Sequence, residues 1–516
     1  MEKRIRRLGI FMVLCFVALF IQLNNIQVIK ATSLADAPNN PHELAVSRDR
    51  PRGDILSADG VVLASSVPST GTTDKYRRVY NPYTATLFSQ IVGYDSPIYG
   101  HTTGIEGEYN KFLESHTRPA TSLRDWLVNR TTTDNVTLTI NTQLQNQVAA
   151  ELEKVDANGT APDAGAVVLN VKTGAVEAMD SVQTFDPNNL VSPNATVERF
   201  YWASLKPNTG ASSPLVSRAF QYGFMPGSTF KVVTSSAVYD HDPALANVNY
   251  PVTDSIQVNG RVTPLYNYQQ ADGSHERCGG TIQVTLPQSC NTAFAQMGIA
   301  LGPNLATEAQ AFGFNQQIPL DLPGVSSSLF PTAADLTGDD PLKATAAFGQ
   351  GFGKNAAGKS TTVVATALQM AVVAAGIANR GVIMTPHVMQ QIRDTQGNLV
   401  KTYTPTKWLA ATNPLTAAAV TQLMQGVVND PGGTAGGVGF PASWNVAAKT
   451  GTAETGNGNV TGSNLTNDWM IAFAPANDPK VAVAVMVPNQ PGSATGAKVS
   501  GPPMLTILGD ALAATP

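Results

Sequence analysis

Apolar and polar positions divide this chain into stretches of different texture. Residues 8–21 form an unbroken apolar run that continues more weakly through Leu23, Ile26, Val28 and Ile29. The run predicts a membrane-crossing helix, with Gln22 to Gln27 at its outer edge. From 32 to about 141 the chain turns polar, with Pro38, Pro41, Pro51, Pro68, Pro82, Pro97 and Pro119 spread along it. This predicts a small, irregular, mostly β module, with strands at 61–64 and 135–140 and a helix over 143–155. Two apolar runs at 165–170 and 172–179, joined through a glycine-containing turn, predict a β-hairpin. Helical stretches follow at 228–239, 286–301, 361–380 and 414–428. Strands return at 445–448, 468–474 and 481–487, and 503–514 closes as a helix. Strands, then helices, then strands and a helix predict an α/β (α+β) domain: one mainly antiparallel sheet with helices on its faces.

Composition sharpens this picture. The 516 residues exceed one typical domain, and 43% hydrophobic against 14% charged residues describes an ordered chain with a sizeable core. With 44 Gly and 34 Pro, loops are frequent, and 430–439 reads as a glycine-rich surface loop. A net charge of -4 excludes a nucleic-acid partner on electrostatic grounds. Three cysteines, Cys15, Cys278 and Cys290, exclude a disulfide-dense scaffold. Lys3, Arg4, Arg6 and Arg7 ahead of the apolar run keep the N-terminus cytoplasmic and send the rest outward. The competing reading is a cleaved signal peptide, with Ala35-Asp36-Ala37 as its cleavage site. That site lies far past the end of the run, so an uncleaved single-span anchor is expected.

The chemistry begins at Pro226-Gly227-Ser228-Thr229-Phe230-Lys231. A hydroxyl three residues before a lysine at a helix start shares one helix face with it, so a desolvated Lys231 could take the Ser228 proton. Alone, this pattern is also an ordinary helix start. Ser289-Cys290-Asn291 follows further along the chain, and Lys449-Thr450-Gly451-Thr452 lies well beyond that. Singly these are a cap and a turn; together, in this order and behind an export signal, they form a specific set.

With these motifs the chain resembles the penicillin-binding proteins. Arg52-Gly53-Asp54-Ile55, Asp59-Gly60 and Leu63-Ala64 resemble the opening of the class B N-terminal module. Gly104-Ile105-Glu106, Leu138-Thr139-Ile140-Asn141, Gly349-Gln350-Gly351, Leu368-Gln369-Met370-Ala371 and Asp468-Trp469 also fall in family order. The likeness is nearest to the short actinobacterial penicillin-binding protein A type. It implies a monofunctional D,D-transpeptidase of peptidoglycan synthesis, divided into an anchor (1–31), a non-catalytic module (32–160) and a penicillin-binding domain (161–516) with a helical subdomain. By the resemblance, Ser228 is the acylated nucleophile, Lys231 its base and Ser289 the proton shuttle. Asn291 holds the substrate amide and Lys231. Lys449, Thr450 and Thr452 bind a terminal carboxylate beside Gly451, and the Ser228 and Thr452 N–H groups form an oxyanion hole. Implied partners are stem peptides ending in D-Ala-D-Ala, β-lactams, the membrane, and cell-wall or division proteins. No metal or organic cofactor is implied.

Three features need separate reading. Gly353 to Ser360 matches a phosphate-binding loop, but no buried strand ending in Asp accompanies it, so a loop beside the cleft is expected. Between Asn291 and Lys449 the only glutamate is Glu308. No later glutamate is available to activate a deacylating water, which favours a transpeptidase over a β-lactamase. Cys278 and Cys290 are either two small buried thiols or a bridge closed through Gly279 and Gly280. A D,D-carboxypeptidase of the same fold and a non-catalytic β-lactam sensor or division scaffold are the rival functions.

Overall fold

The computed structural model describes residues 2–30, 49–69, 74–101, 103–117, 131–155, 163–270, 272–351, 358, 360–455, 465–492 and 494–515. Its centre is a five-stranded sheet: β1 (Gly165–Asn170), β2 (Val176–Ser181), β3 (Ala447–Glu454), β4 (Leu465–Ala474) and β5 (Val481–Pro491). The spatial order is β3-β4-β5-β1-β2, with every neighbour antiparallel. Alternate side chains of a strand face opposite sides. On β5, Ala482, Ala484 and Met486 therefore enter one core and Val481, Val483 and Val485 another. Both faces are covered, so the strands read as continuous apolar runs rather than alternating ones.

The helices follow the same logic. One sheet face carries α3 (Ala367–Ala378), in which every residue is buried. Thr366 caps its start, accepting from the Gln369 N–H, so 361–366, part of the predicted helix, remain outside the observed one. The other face carries α4 (Gly501–Ala514) and the helix Thr142–Glu153, packed through Leu144, Val148, Leu152, Met504, Ile507 and Leu508. Helices α1 (Lys231–His241) and α2 (Asn291–Leu301) pack on each other, while the turn Gly227–Phe230 ahead of α1 and the helix Pro414–Asn429 lie against β3. The fold is the expected mixed α/β one, a mainly antiparallel sheet flanked by helices, with a smaller N-terminal unit.

Two predicted helices are interrupted where the chemistry sits. The stretch from Ser228 begins as a tight 3-10 turn, Gly227–Phe230, before α1. The predicted helix over 286–301 breaks at Ser289, whose φ of 61° is left-handed, and α2 starts afresh at Asn291.

The N-terminal strands Ile55–Leu56, Val62–Pro68, Tyr76–Tyr80 and Asp134–Leu138 form a six-stranded sheet with Met389–Asp394 and Leu399–Thr402, a hairpin from far along the chain. Its keystone is Glu106, 0% exposed. The Glu106 carboxylate accepts from Arg52 Nε and Arg78 Nε, each at 2.6 Å, and from Tyr80 Oη at 3.1 Å. Arg78 also donates to the Gly53 carbonyl. A Cβ on Gly53 would lie 1.9 Å from the Asp134 carbonyl oxygen. Gly53 is thus the residue that lets the chain pass this point.

At the N-terminus, helix Glu2–Asn24 runs into a wider turn, Asn25–Ile29. The stretch Arg4–Gln27 is long and apolar enough to cross a membrane, and none of it is buried. The candidate cleavage site at 35–37 and residues 352–357 and 359 of the phosphate-loop match lie outside the described residues.

Removing the Glu106 charge leaves two buried guanidiniums without their shared partner. Glu106→Ala is expected to destabilise the chain by about 3–5 kcal/mol, read by urea unfolding of the detergent-solubilised protein. A loss below about 1 kcal/mol, the range of a surface pair, would remove Glu106 as the keystone.

Candidate active site

The Ser228 turn is held by one backbone and two side-chain hydrogen bonds. Gly227 N–H donates to Gly349 O at 3.1 Å, Thr229 Oγ1 to Pro226 O at 2.8 Å, and Trp469 Nε1 to Met225 O at 2.8 Å. Gly349 has a φ of 74°, and a Cβ there would meet Gly227 O at 2.2 Å, so this crossing requires glycine. The Gly349-Gln350-Gly351 and Asp468-Trp469 motifs thus act by shaping the turn.

Two lysines, both 0% exposed, converge behind Ser228. Lys231 Nζ donates to Ser289 O at 2.5 Å and to Asn291 Oδ1 at 2.8 Å, and lies 3.3 Å from Ser289 Oγ. Lys449 Nζ donates to Ser289 Oγ at 2.8 Å and to Thr450 O at 2.9 Å. Burial, then the charge of Lys449, holds the Lys231 amine well below the ordinary lysine value. Burial also lowers Lys449, to about 7, against the opposing charge of Glu276. A neutral amine has two N–H donors and one lone pair. Lys231 spends its two donors on Ser289 O and Asn291 Oδ1, which leaves the lone pair to accept a hydroxyl proton.

The expected contact between Lys231 and Ser228 is not closed. Among the described residues, Ser228 Oγ makes no hydrogen bond, and Lys231 is turned toward Ser289 instead.

Ser289 is held in its left-handed conformation by its surroundings. Its N–H donates to Leu286 O at 3.0 Å, and Cys290 N–H to Thr285 O at 2.9 Å. Cys290 is bridged to Cys278, with Cα atoms 5.8 Å apart. The bridge pins the residue between Ser289 and Asn291 to the strand Cys278–Gly280. Asn267 Oδ1 accepts from the Thr292 N–H at 2.9 Å, while its amide donates to Thr253 O and Glu276 O.

The third wall is β3, the edge of the sheet. The predicted strand at 445–448 in fact runs on through Lys449, Thr450, Gly451 and Thr452 to Glu454. Its free side lies against the Ser228 turn, where a Cβ on Gly451 would stand 2.8 Å from Pro226 O and 3.1 Å from Thr229 N. Thr450 Oγ1 is 2.6 Å from Thr434 Oγ1, and Thr452 Oγ1 accepts from Gly496 N–H at 3.1 Å.

A cavity of about 230 Å³ opens onto Ser228, Ser289, Asn291, Thr450 and Thr452, so the three motifs meet at one place. It is also lined by Tyr268, Glu276, Gln288 and Thr434, which the sequence motifs do not single out. Thr434 belongs to the glycine-rich stretch read as a plain surface loop. Tyr268 and Glu276 lie upstream of Ser289, where no motif points. Glu308, in contrast, is 3% exposed on its side chain and meets His241 Nε2 at 3.1 Å, at the far end of α1. Burial pushes its carboxyl up to about 9. Among the described residues no group of three or more His, Cys, Asp or Glu is placed to hold a metal ion.

An antiparallel sheet with a serine turn at its edge, backed by two buried lysines, is the arrangement of a serine-type acyl-transfer enzyme. The chain belongs to the penicillin-binding proteins. The family described as penicillin binding protein transpeptidase domain matches residues 164–509, and that described as penicillin binding protein A dimerisation domain matches 52–136. The chain is 33% identical to the peptidoglycan D,D-transpeptidase PbpA of Mycolicibacterium smegmatis, covering 97% of each chain. It is also 33% identical to PbpA of Mycobacterium tuberculosis, over the whole of both chains. Among solved structures it is similar to the ceftriaxone acyl-enzyme of M. tuberculosis penicillin-binding protein A, at a TM-score of 0.76 and 29% identity, covering 91% of this chain and 100% of that one. The D,D-transpeptidase domain of an Eggerthella lenta peptidoglycan glycosyltransferase matches at a TM-score of 0.74 and 30% identity, covering 90% and 99%.

The contact between β3 and the serine turn can be tested without substrate. Gly451→Ala forces backbone apart and is expected to cost about 1–3 kcal/mol in urea unfolding. Gly437→Ala, with nothing within 4 Å of the new methyl, serves as the control. Equal stability of the two variants would contradict the close approach.

Proposed function

We propose that this chain is a peptidoglycan D,D-transpeptidase that works through an acyl-enzyme on Ser228. The observation that carries this reading is the convergence of Lys231 and Lys449 on the Ser289 hydroxyl beside Ser228. Ser228 Oγ attacks the carbonyl between two terminal D-alanines, and the Lys231 lone pair takes its proton. Ser289 sits between the lysines, accepting from one and able to donate to the other, so it relays the proton to the departing D-alanine amine. Asn291 fixes Lys231 and offers its amide to the peptide. Lys449, with Thr450 and Thr452 flanking Gly451, receives the donor's terminal carboxylate. N–H groups of Ser228 and Thr452 stabilise the oxyanion. The acyl group then passes to an amine on a neighbouring stem, and β-lactams acylate the same serine as substrate mimics.

In this reading residues 1–31 anchor the chain in the membrane by one pass, 32–160 form a non-catalytic module, and 161–516 carry catalysis outside the cytoplasm. The N-terminal sheet is the surface for cell-wall or division partners, since the active-site mouth must stay open to glycan strands.

Incubation with a labelled penicillin tests the nucleophile. A stable one-to-one adduct by intact mass, absent from Ser228→Ala, is the expected result. Rapid turnover of the adduct would instead indicate a β-lactamase or carboxypeptidase, and no adduct a scaffold.

The acylation rate is expected to follow a bell in pH. Below its depressed value Lys231 is protonated and cannot accept the serine proton, so the rate falls on the acid side. Above about 7 Lys449 loses its charge, and binding of the carboxylate falls on the alkaline side. A rate rising without limit to pH 10 would show that the Lys449 charge is not used.

A further inference from the structure

The cavity holds a carboxylate for which the acylation chemistry has no use. Glu276 lies between the strands Leu265–Tyr266 and Cys278–Gly280 and lines the same cavity as Ser228 and Ser289. Its backbone is tied at both ends: its N–H donates to Tyr268 O at 2.9 Å, and its carbonyl accepts from Asn267 Nδ2 at 3.1 Å. Two residues on, Cys278 is bridged to Cys290, next to Ser289. The side chain, however, accepts no hydrogen bond and forms no ion pair within 4.0 Å among the described residues. It is half-buried, and it feels the charges of Lys231 and Lys449 across the cavity. Burial raises its carboxyl, and the two lysines pull it back. Glu308, the one glutamate between Asn291 and Lys449, is turned away into its pair with His241.

An acceptor amine is a cation near neutral pH, with an ordinary value of about 10.4 for a side-chain amine. Lys449, where it keeps its charge, repels it. A carboxylate lining the same cavity offsets that repulsion and gives the ammonium one place to sit. Resting on the transpeptidase reading above, we infer that Glu276 receives the acceptor, its carboxylate holding the incoming ammonium beside the Ser228 ester. The ammonium gives one proton to the Glu276 carboxylate. The freed nitrogen forms its bond to the acyl carbon, the bond from that carbon to Ser228 Oγ breaks, and the nitrogen's second surplus proton passes to Oγ, restoring the hydroxyl. Glu276 returns its proton to solvent. The acceptor class is therefore a primary aliphatic amine that arrives charged, rather than water.

The test is a partition experiment on the full-length chain in detergent. An acyl-D-alanyl thioester acylates Ser228, and the acyl group is divided among water, a short peptide carrying a lysine side-chain amine, and hydroxylamine, which is neutral at pH 7. In Glu276→Gln the ratio of peptide aminolysis to hydrolysis is expected to fall about tenfold, with the hydroxylamine ratio retained and Glu276→Asp recovering part of the loss. A one-to-one penicillin adduct on each variant confirms that the site is folded. Equal loss toward both nucleophiles, or no loss toward either, overturns the assignment. A fall in hydrolysis alone also overturns it, since Glu276 would then serve water. If the unaltered protein acylates but transfers to no amine, transpeptidation itself fails, a result visible before any variant is made.

Discussion

The site depends on keeping a lysine uncharged in a place where water cannot reach it. An isolated ammonium is costly to bury, so a buried lysine sheds its proton unless an anion faces it closely. Among the described residues no carboxylate pairs with Lys231, and its neighbours are the Phe294 and Phe348 rings, 5.3 and 5.8 Å from Nζ. The second lysine adds repulsion in the same direction. Neutrality at Lys231 follows from its burial where α1 packs against α2 and from the nearby charge of Lys449, so it is made by the fold rather than by a single partner.

That packing requires three pieces of chain, far apart in the sequence, to meet within hydrogen-bond distance. The sheet sets the position of the third. Because β4 and β5 are buried on both faces, the register that pairs Ala447 with Phe473 and Ala448 with Ala472 puts Ala447 in one core and Ala448 in the other, and a slip of one residue would exchange the faces of the whole strand. Lys449 and Thr450 are then placed on opposite sides by alternation. Gly451, lacking a Cβ, lets the strand edge approach the serine turn. A slip of one residue would exchange the lysine for an alanine or a threonine.

Much of this is legible in the sequence because the periodicities are strong: the hairpin at 165, the closing strands and the helix at 143 lie within a few residues of their expected places. The serine and lysine motifs are legible as a set. What is not legible depends on tertiary contact. Ser289 adopts a left-handed φ that no helical pattern announces. Met389–Asp394 breaks the simple alternation of a half-buried strand, with a register shift between Met389 and Gln391, and nothing local reveals that it pairs with Asp134–Leu138, from a distant part of the chain. Glu276 and Thr434 enter the cavity because Asn267, the Cys278–Cys290 bridge and the Thr450 contact bring their segments there.

The strained positions explain why those contacts exist. The left-handed φ of Ser289 lies in a region that non-glycine residues rarely occupy, and it persists only where its surroundings over-determine it. Ser289 is held from behind by the helical turn Ile282–Thr285, from the side by the bridge at Cys290, and from the front by both lysines. Relaxing it would swing the hydroxyl away from Lys449 and turn the Ser289 carbonyl from Lys231, which would lose one of the two acceptors that leave its lone pair free. One backbone torsion therefore sets both the place of the Ser289 hydroxyl and the partners of Lys231, so the segment before Ser289 must be rigid.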